Sequence, residues 1–175
     1  MRRKRYRFLM KLGLLALLLV ACATTKGIVK DPQRLKNINR LAIFPFTCDG
    51  ADVGNSIADS LTTKLMESRF QIIERSQLDR IFTEQGLSLA GVLDSKQYMF
   101  GEIRGIDAII VGSATVSGLL VKYISEANAR IIDLRTGEIL MAVTFRASSL
   151  GTQRGIITPM KAGYWIGNEI IKKTE

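Results

Sequence analysis

The sequence predicts an α/β protein: a single α/β sandwich around one mixed sheet, in the order β-α-β-α-α-β-β-β-α. Three observations predict it. Between residues 40 and 118, short continuous apolar runs alternate with segments whose apolar residues recur every three or four positions. Between 126 and 148, two strand-like runs flank a glycine-containing turn, which marks a hairpin that extends the sheet. A capped amphipathic segment then closes the domain.

The first strand is "RLAIFPFTC", Arg40 to Cys48. Its apolar residues are consecutive, so both faces are buried. Pro45 has no amide donor and belongs at an edge or a bulge. "NSIADSLTTKLMES" follows as a helix with Asn55 as N-cap and Ile57, Ala58, Leu61 and Leu65 on one face. "FQIIER", Phe70 to Arg75, is the second strand. In "SQLDRIFTEQG", Ser76 and Asp79 resemble a capping box, Leu78, Ile81 and Phe82 make the apolar face, and Gly86 ends the helix. A loop, "LSLAGVLDS", leads to a short third helix over Lys96 to Arg104. "DAIIVGSATVSG" is the third buried strand, in which Gly112 permits close approach of a helix. In the hairpin, "DLRTGE" places Gly137 where a positive φ is wanted, and Ile139, Met141, Val143 and Phe145 alternate onto one face. The last helix has Thr158 as N-cap, Pro159 at its first position, and Ala162, Ile166 and Ile170 as its buried stripe. Gly163 and Gly167 lie four apart, as a close helix-packing face requires.

The chain ahead of this unit reads differently. "MRRKRYRFLMK" is a positive region and "LGLLALLLVA" an apolar run of ten residues. A membrane-spanning helix needs about 20 residues, whereas the apolar core of a signal peptide needs about 7–15. Leu19-Val20-Ala21-Cys22 resembles the bacterial lipobox, in which the cysteine thiol is acylated and the chain is cut just before it. Residues 1–21 are therefore expected as a lipoprotein signal peptide and Cys22 as the lipidated residue. Several acyl chains anchor stably where one is marginal, so the membrane is the first partner, held through the N-terminal acyl chains. Ala23, rather than aspartate, follows the cysteine, which in a Gram-negative cell favours the outer membrane with the domain facing the periplasm. Residues 22–38 are polar and broken by Gly27 and Pro32. They are expected as a flexible tether, with the folded domain over 39–175 and a unit begun near residue 36 folding by itself.

The 175 residues carry a net +9, with 25 basic against 16 acidic side chains. Six of the basic residues lie in the signal peptide, and the 19 that remain leave only +3. No basic stripe is left for a phosphate backbone, so no nucleic-acid partner is expected. The chain contains no histidine, which removes Ser-His-Asp and Cys-His catalysis and most zinc sites. No phosphate-binding glycine loop opens a helix, so no cofactor, metal or small-molecule substrate is expected and the protein is read as not an enzyme. Cys48 has no intrachain partner once Cys22 is acylated, and reads as a half-buried cysteine at a strand end. Asp49 and Asp52 fall in "CDGAD", an ordinary turn composition. Tyr164 and Trp165 read as helix-surface and core aromatics.

"LAIFPF", "IIERSQLDRIFTEQGLSLAGVLD", "GIDAIIVGSATV" and "ARIIDLRTGEIL", in this order and after a lipobox, resemble the CsgG family of curli assembly and secretion lipoproteins. The resemblance runs from Leu41 to the C-terminal helix. It implies an outer-membrane lipoprotein with a periplasmic α/β domain, other envelope proteins as partners, and self-association as an open question. The type member forms a ring whose subunits each give two long hairpins to a secretion barrel. Here only "SGLLVKYISE" and "RASSLGTQRGII" stand at those places, too short to cross a bilayer and return. The implied role is a non-enzymatic adaptor in envelope assembly or curli-type secretion. The other roles within the resemblance are a channel subunit and a regulator of peptidoglycan synthases or of flagellar assembly.

Overall fold

The computed structural model describes residues 24–84, 105–118, 123–147 and 157–175. One mixed sheet of six strands organises them, flanked by four described helices. In chain order these are β1 (Thr24–Val29), α1 (Pro32–Asn37), β2 (Arg40–Ile43), α2 (Ala51–Leu65), β3 (Gln71–Ile73), α3 (Arg75–Glu84), β4 (Ala108–Ser117), β5 (Tyr123–Asp133), β6 (Ile139–Arg146) and α4 (Pro159–Thr174). The sheet order is β1-β6-β5-β4-β2-β3. β2 runs parallel to both β3 and β4, and the other pairs are antiparallel. The expected α/β sandwich is found. The third helix expected at 96–104 and the loop before it lie outside the described residues.

The two faces of the sheet carry separate cores. On one face α2 and α4 bury Ile57, Ala58, Leu61, Leu65, Ala162, Ile166 and Ile170 against Leu41, Ile43, Ile110, Ile131, Val143 and Phe145. On the other, Leu78 of α3 packs with Ala42, Phe44, Ile73, Ile109 and Ile132. Strand β2 is buried on both faces because it is central, which its unbroken apolar run requires. Its ladder stops at Ile43, ahead of Pro45, and resumes as an isolated bridge from Thr47 to Ser113. Proline thus marks a break within a central strand rather than an edge.

Several elements differ from the sequence-based expectation. Residues 24–38, expected as a tether, are part of the domain. β1 lies antiparallel to β6, with Thr24 opposite Arg146 and Val29 opposite Met141. α1 begins at an Asp31 N-cap that accepts from the Arg34 N–H, with Pro32 in its first turn. It buries Leu35 and leads to buried Ile38. α2 begins at Ala51, four residues before the expected cap, because Gly50 takes φ +106° and turns the chain directly into the helix. Glu74, not Ser76, caps α3: its carboxylate accepts from the N–H and hydroxyl of Ser76. Gly112 is approached by the Phe46 ring, not by a helix; a Cβ there would lie 2.3 Å from that ring. Ile139 joins the α3 face while Met141, Val143 and Phe145 join the other, because the register shifts between Ile131 and Ile132.

Candidate functional site

The ends of the strands define the two ends of the domain. At one end lie the start of β1 at Thr24, the end of β6 at Arg146, and the join of β4 and β5, where Ser117 stands opposite Tyr123. α4 starts beside them: the Ile124 N–H donates to the Ile157 carbonyl, just ahead of the Thr158 cap. α2 and α4 run side by side away from this end, with Gly163 over Ile57 and Ser60 and Gly167 over Lys64. The two glycines are the close packing face their spacing suggested. Cys22, the expected lipidation site, lies outside the described residues, two positions before Thr24.

The opposite end is closed by a polar clamp. Asp133, at the end of β5, is fully buried. Its Oδ2 accepts from Arg34 Nη2 of α1 at 2.7 Å, and its Oδ1 accepts from the Arg135 N–H at 2.8 Å. Arg34 also donates to Glu138 and Thr136 across the β5–β6 turn. At the far end of α1, Arg69 donates to the Leu35 and Ile38 carbonyls at 2.8 and 2.7 Å, beside the Ile38 N–H that also bonds the Leu35 carbonyl, and so ties down the helix end. The N-terminal segment is thereby fixed to the hairpin and to the segment after α2. Nothing in the spacing of Arg34 and Asp133 announces this pairing, but Asp31-Pro32 was a legible helix start.

Burial alone would raise the Asp133 carboxyl. The Arg135 N–H and the Arg34 guanidinium outweigh that and hold it below the ordinary carboxylate range. A depressed folded-state value means the clamp contributes its stability above the unfolded-state value and loses it as pH falls through the folded one. The wild-type domain is therefore expected to lose stability on acidification below about pH 4. Asp133→Asn should be less stable at pH 7 and show a shallower loss on the acid side. Urea midpoints measured at pH 7 and pH 3 check this, and parallel pH profiles would refute it.

The remaining candidates separate. Cys48 is half-buried just past β2, as its reading required. Its Sγ donates to the Gly50 carbonyl at 3.3 Å, and burial pushes the thiol up, away from the reactive thiolate. Trp165 packs on Phe145 with ring centroids 5.3 Å apart. Tyr164 lies at the surface under the Lys64 ammonium, 4.9 Å from the ring centre. These two aromatics face apart and form no cage. A shallow groove of about 380 Å3 lies between α2 and α4, lined by Ser56, Asp59, Thr63, Met160 and Tyr164 among others. Among the described residues no group of three His, Cys, Asp or Glu side chains could hold a metal ion. No described helix is long and apolar enough to cross a membrane.

On the face away from α2 and α4, strands β1, β6, β5 and β4 present mostly polar rows. One row is Lys26, Thr144, Asn128 and Ser113; the next is Thr24, Arg146, Glu126 and Thr115. Thr144 donates to Asn128, Asn128 to Glu126, and Arg146 pairs with Glu126 at 3.3 Å, so the rows are cross-linked. Asp49 and Asp52 lie outside these rows, at the start of α2.

The described residues form an α/β domain with a shallow groove between α2 and α4, and its fold has counterparts among known proteins. The fold is similar to that of a DUF4136 family protein from Bacteroides thetaiotaomicron, at 8% identity over 87% of this chain and 96% of that one, TM-score 0.50. It is also similar to lipoprotein GNA1162 from Neisseria meningitidis, at 20% identity over 63% of this chain and 81% of that one, TM-score 0.46. A third similar structure is the LpoB C-terminal domain from Escherichia coli, at 15% identity over 67% and 95%, TM-score 0.48. At these identities the likeness is one of fold alone. No curated protein matches the sequence. Residues 36–122 match the family described as "Curli production assembly/transport component CsgG", and the chain belongs to the CsgG family. The match covers β2 to β4 and leaves β1, β5, β6 and α4 outside it.

Proposed function

We propose that this chain is a lipid-anchored, non-enzymatic envelope protein that binds other proteins during envelope assembly or secretion. One observation carries the reading. In a CsgG-family domain, β4 and β5 stay paired until Ser117 faces Tyr123, which leaves the five residues 118–122 between them. The other connection, from the end of β6 to the start of α4, is the twelve residues 147–158. A strand crossing a bilayer takes about 9–11 residues, so a crossing hairpin needs about 20. Strands enter lipid only as a closed barrel, since unpaired backbone groups cannot be left there. Neither connection supplies that length. The lipobox-like Leu19 to Cys22 supports attachment through acyl chains on Cys22, and Ala23 supports the outer membrane. The lack of any histidine supports a binding role over a catalytic one.

Cys22→Ala is the test. The wild-type protein should carry an acyl mass on Cys22 and stay with membranes through carbonate washing, and the variant should be released. Purified wild-type protein in planar bilayers should give no discrete conductance. Reproducible conductance steps, or carbonate-resistant retention of Cys22→Ala, would make a channel subunit the better reading.

A further inference from the structure

We propose that the domain stands end-on against its membrane, held so that the sheet end carrying Thr24, Arg146, Ser117 and Tyr123 faces the lipid headgroups. The inference rests on the acylation of Cys22 proposed above, and goes beyond it to the orientation that follows. The argument begins with β1. A flexible tether over 22–38 would let the domain tumble and reach tens of ångströms from the surface. There is no such tether: from Thr24 onward the chain is locked in register with β6. The outward edge of β1 is held as well, since the Gly27 N–H donates to Glu169 of α4 at 3.0 Å. Between the Cα atoms of Cys22 and Thr24 the chain spans at most about 7 Å. An acyl anchor on Cys22 therefore pins Thr24 close to the headgroup layer.

What Thr24 drags with it is fixed by the sheet. Arg146 lies directly opposite it, and the β4–β5 join lies at the same end. α4 begins there too, with Met160 63% exposed and Lys161 exposed. An exposed methionine beside a lysine on α4, with Arg146 at the same end of the domain on the other face of the sheet, suits a surface of phosphate headgroups over acyl chains. α4 then runs away from the membrane for 16 residues, about 24 Å. The far end carries the Arg34–Asp133 clamp and the exposed Lys172. The bilayer thus sees one end of the domain, and protein partners are offered the other end and the flanks.

The two lysines on α4 give the test, because both are exposed on one helix and differ in their height above the membrane. In a Cys48→Ser background, Lys161→Cys and Lys172→Cys are each labelled with a fluorophore. The full-length lipidated protein is reconstituted in phosphatidylethanolamine–phosphatidylglycerol vesicles containing a headgroup spin-labelled lipid. Quenching at position 161 should exceed that at 172 at least twofold. Inserting fifteen Gly/Ser residues between Ala23 and Thr24 should erase the difference. Equal quenching at the two positions, in protein whose acyl mass is confirmed, overturns the orientation and leaves the anchor standing. Absence of the acyl mass overturns the anchor reading itself. Persistence of the difference after the insertion shows that something other than the short link orients the domain, and overturns the argument from β1.

Discussion

A chain begun at Lys36 is expected to stay unfolded or to aggregate, whereas one begun at Ala23 should fold to the structure described here. Starting at Lys36 removes β1, most of α1 and Arg34. It strips the outer edge of β6, leaving its backbone groups unpaired and open to another chain. It removes Leu35, 2% exposed, and leaves Ile38 without the helix that positions it. Burying a leucine or isoleucine side chain contributes about 1.5–3 kcal/mol, against a total stability of about 5–15 kcal/mol for a domain. Asp133 would lose its Arg34 partner while still buried, a change that is costly because the carboxylate keeps its desolvation and loses a charge-assisted bond. Circular dichroism and urea denaturation of the two fragments decide the matter. A cooperative unfolding transition of equal midpoint in both would show that residues 24–38 are dispensable.

Gly54→Ala should be the most damaging single-methyl substitution in the domain's helices. A Cβ at Gly54 would lie 2.0 Å from the Phe46 carbonyl oxygen, and backbone cannot swing aside as a side chain can. The same backbone accepts and donates nearby, with the Phe46 N–H bonded to the Gly54 carbonyl at 3.2 Å. Relief requires α2 to move off the segment after β2, at a cost of about 3 kcal/mol, or roughly 6–12 °C in melting temperature. Gly163→Ala should follow, since its Cβ would meet the Ile57 carbonyl at 2.4 Å and separate α2 from α4. Gly167→Ala meets Lys64 Cγ at 2.7 Å and Lys64 Cβ at 2.8 Å, atoms at the root of that side chain, so α2 must give way there as well, though no backbone carbonyl stands in the path. There the gain in helix propensity, about 1 kcal/mol, should offset part of the cost and make this the mildest of the three. Thermal melts of the three variants should fall in that order. Equal melting temperatures would mean the helix contacts are looser than described.

The buried stripes of α2 and α4 were legible because each repeats at the helical period, and β2 because its apolar run is unbroken. The caps of α4 were legible because Thr158-Pro159 is a local signal that needs no tertiary context. β1 was not. It is an edge strand whose outward residues, Thr24, Lys26 and Ile28, lie on the open sheet face, so its alternation is weak and its composition resembles a linker. α1 is only six residues long, too short for periodicity to speak, and its start signal was outweighed by the polar surroundings. The true start of α2 was hidden because Gly50 and Asp52 have turn composition, while the backbone uses Gly50 for its positive φ and continues directly into the helix. The register shift that turns Ile139 to the other face leaves no mark in the alternation. As for the candidate site, Cys22 was read from a contiguous motif. The clamp joins Arg34 to residues some hundred positions away, and single-sequence spacing carries no information at that range.

The pairing of β1 with β6 also bears on how and where the molecule can acquire its structure. Thr24 meets Arg146 only after almost the whole chain has been made, so the sheet's outer pair is of very long sequence separation and closes late. A polypeptide threaded through a translocation channel from its N-terminus presents β1 first and β6 near the end. Until β6 arrives, β1 has no ladder, α1 has no hairpin turn to grip, and Arg34 has no carboxylate. The domain therefore completes its sheet only once β6 has followed β1. Its leading segment stays without a partner until then, the interval in which a chaperone that shields extended chain would matter most.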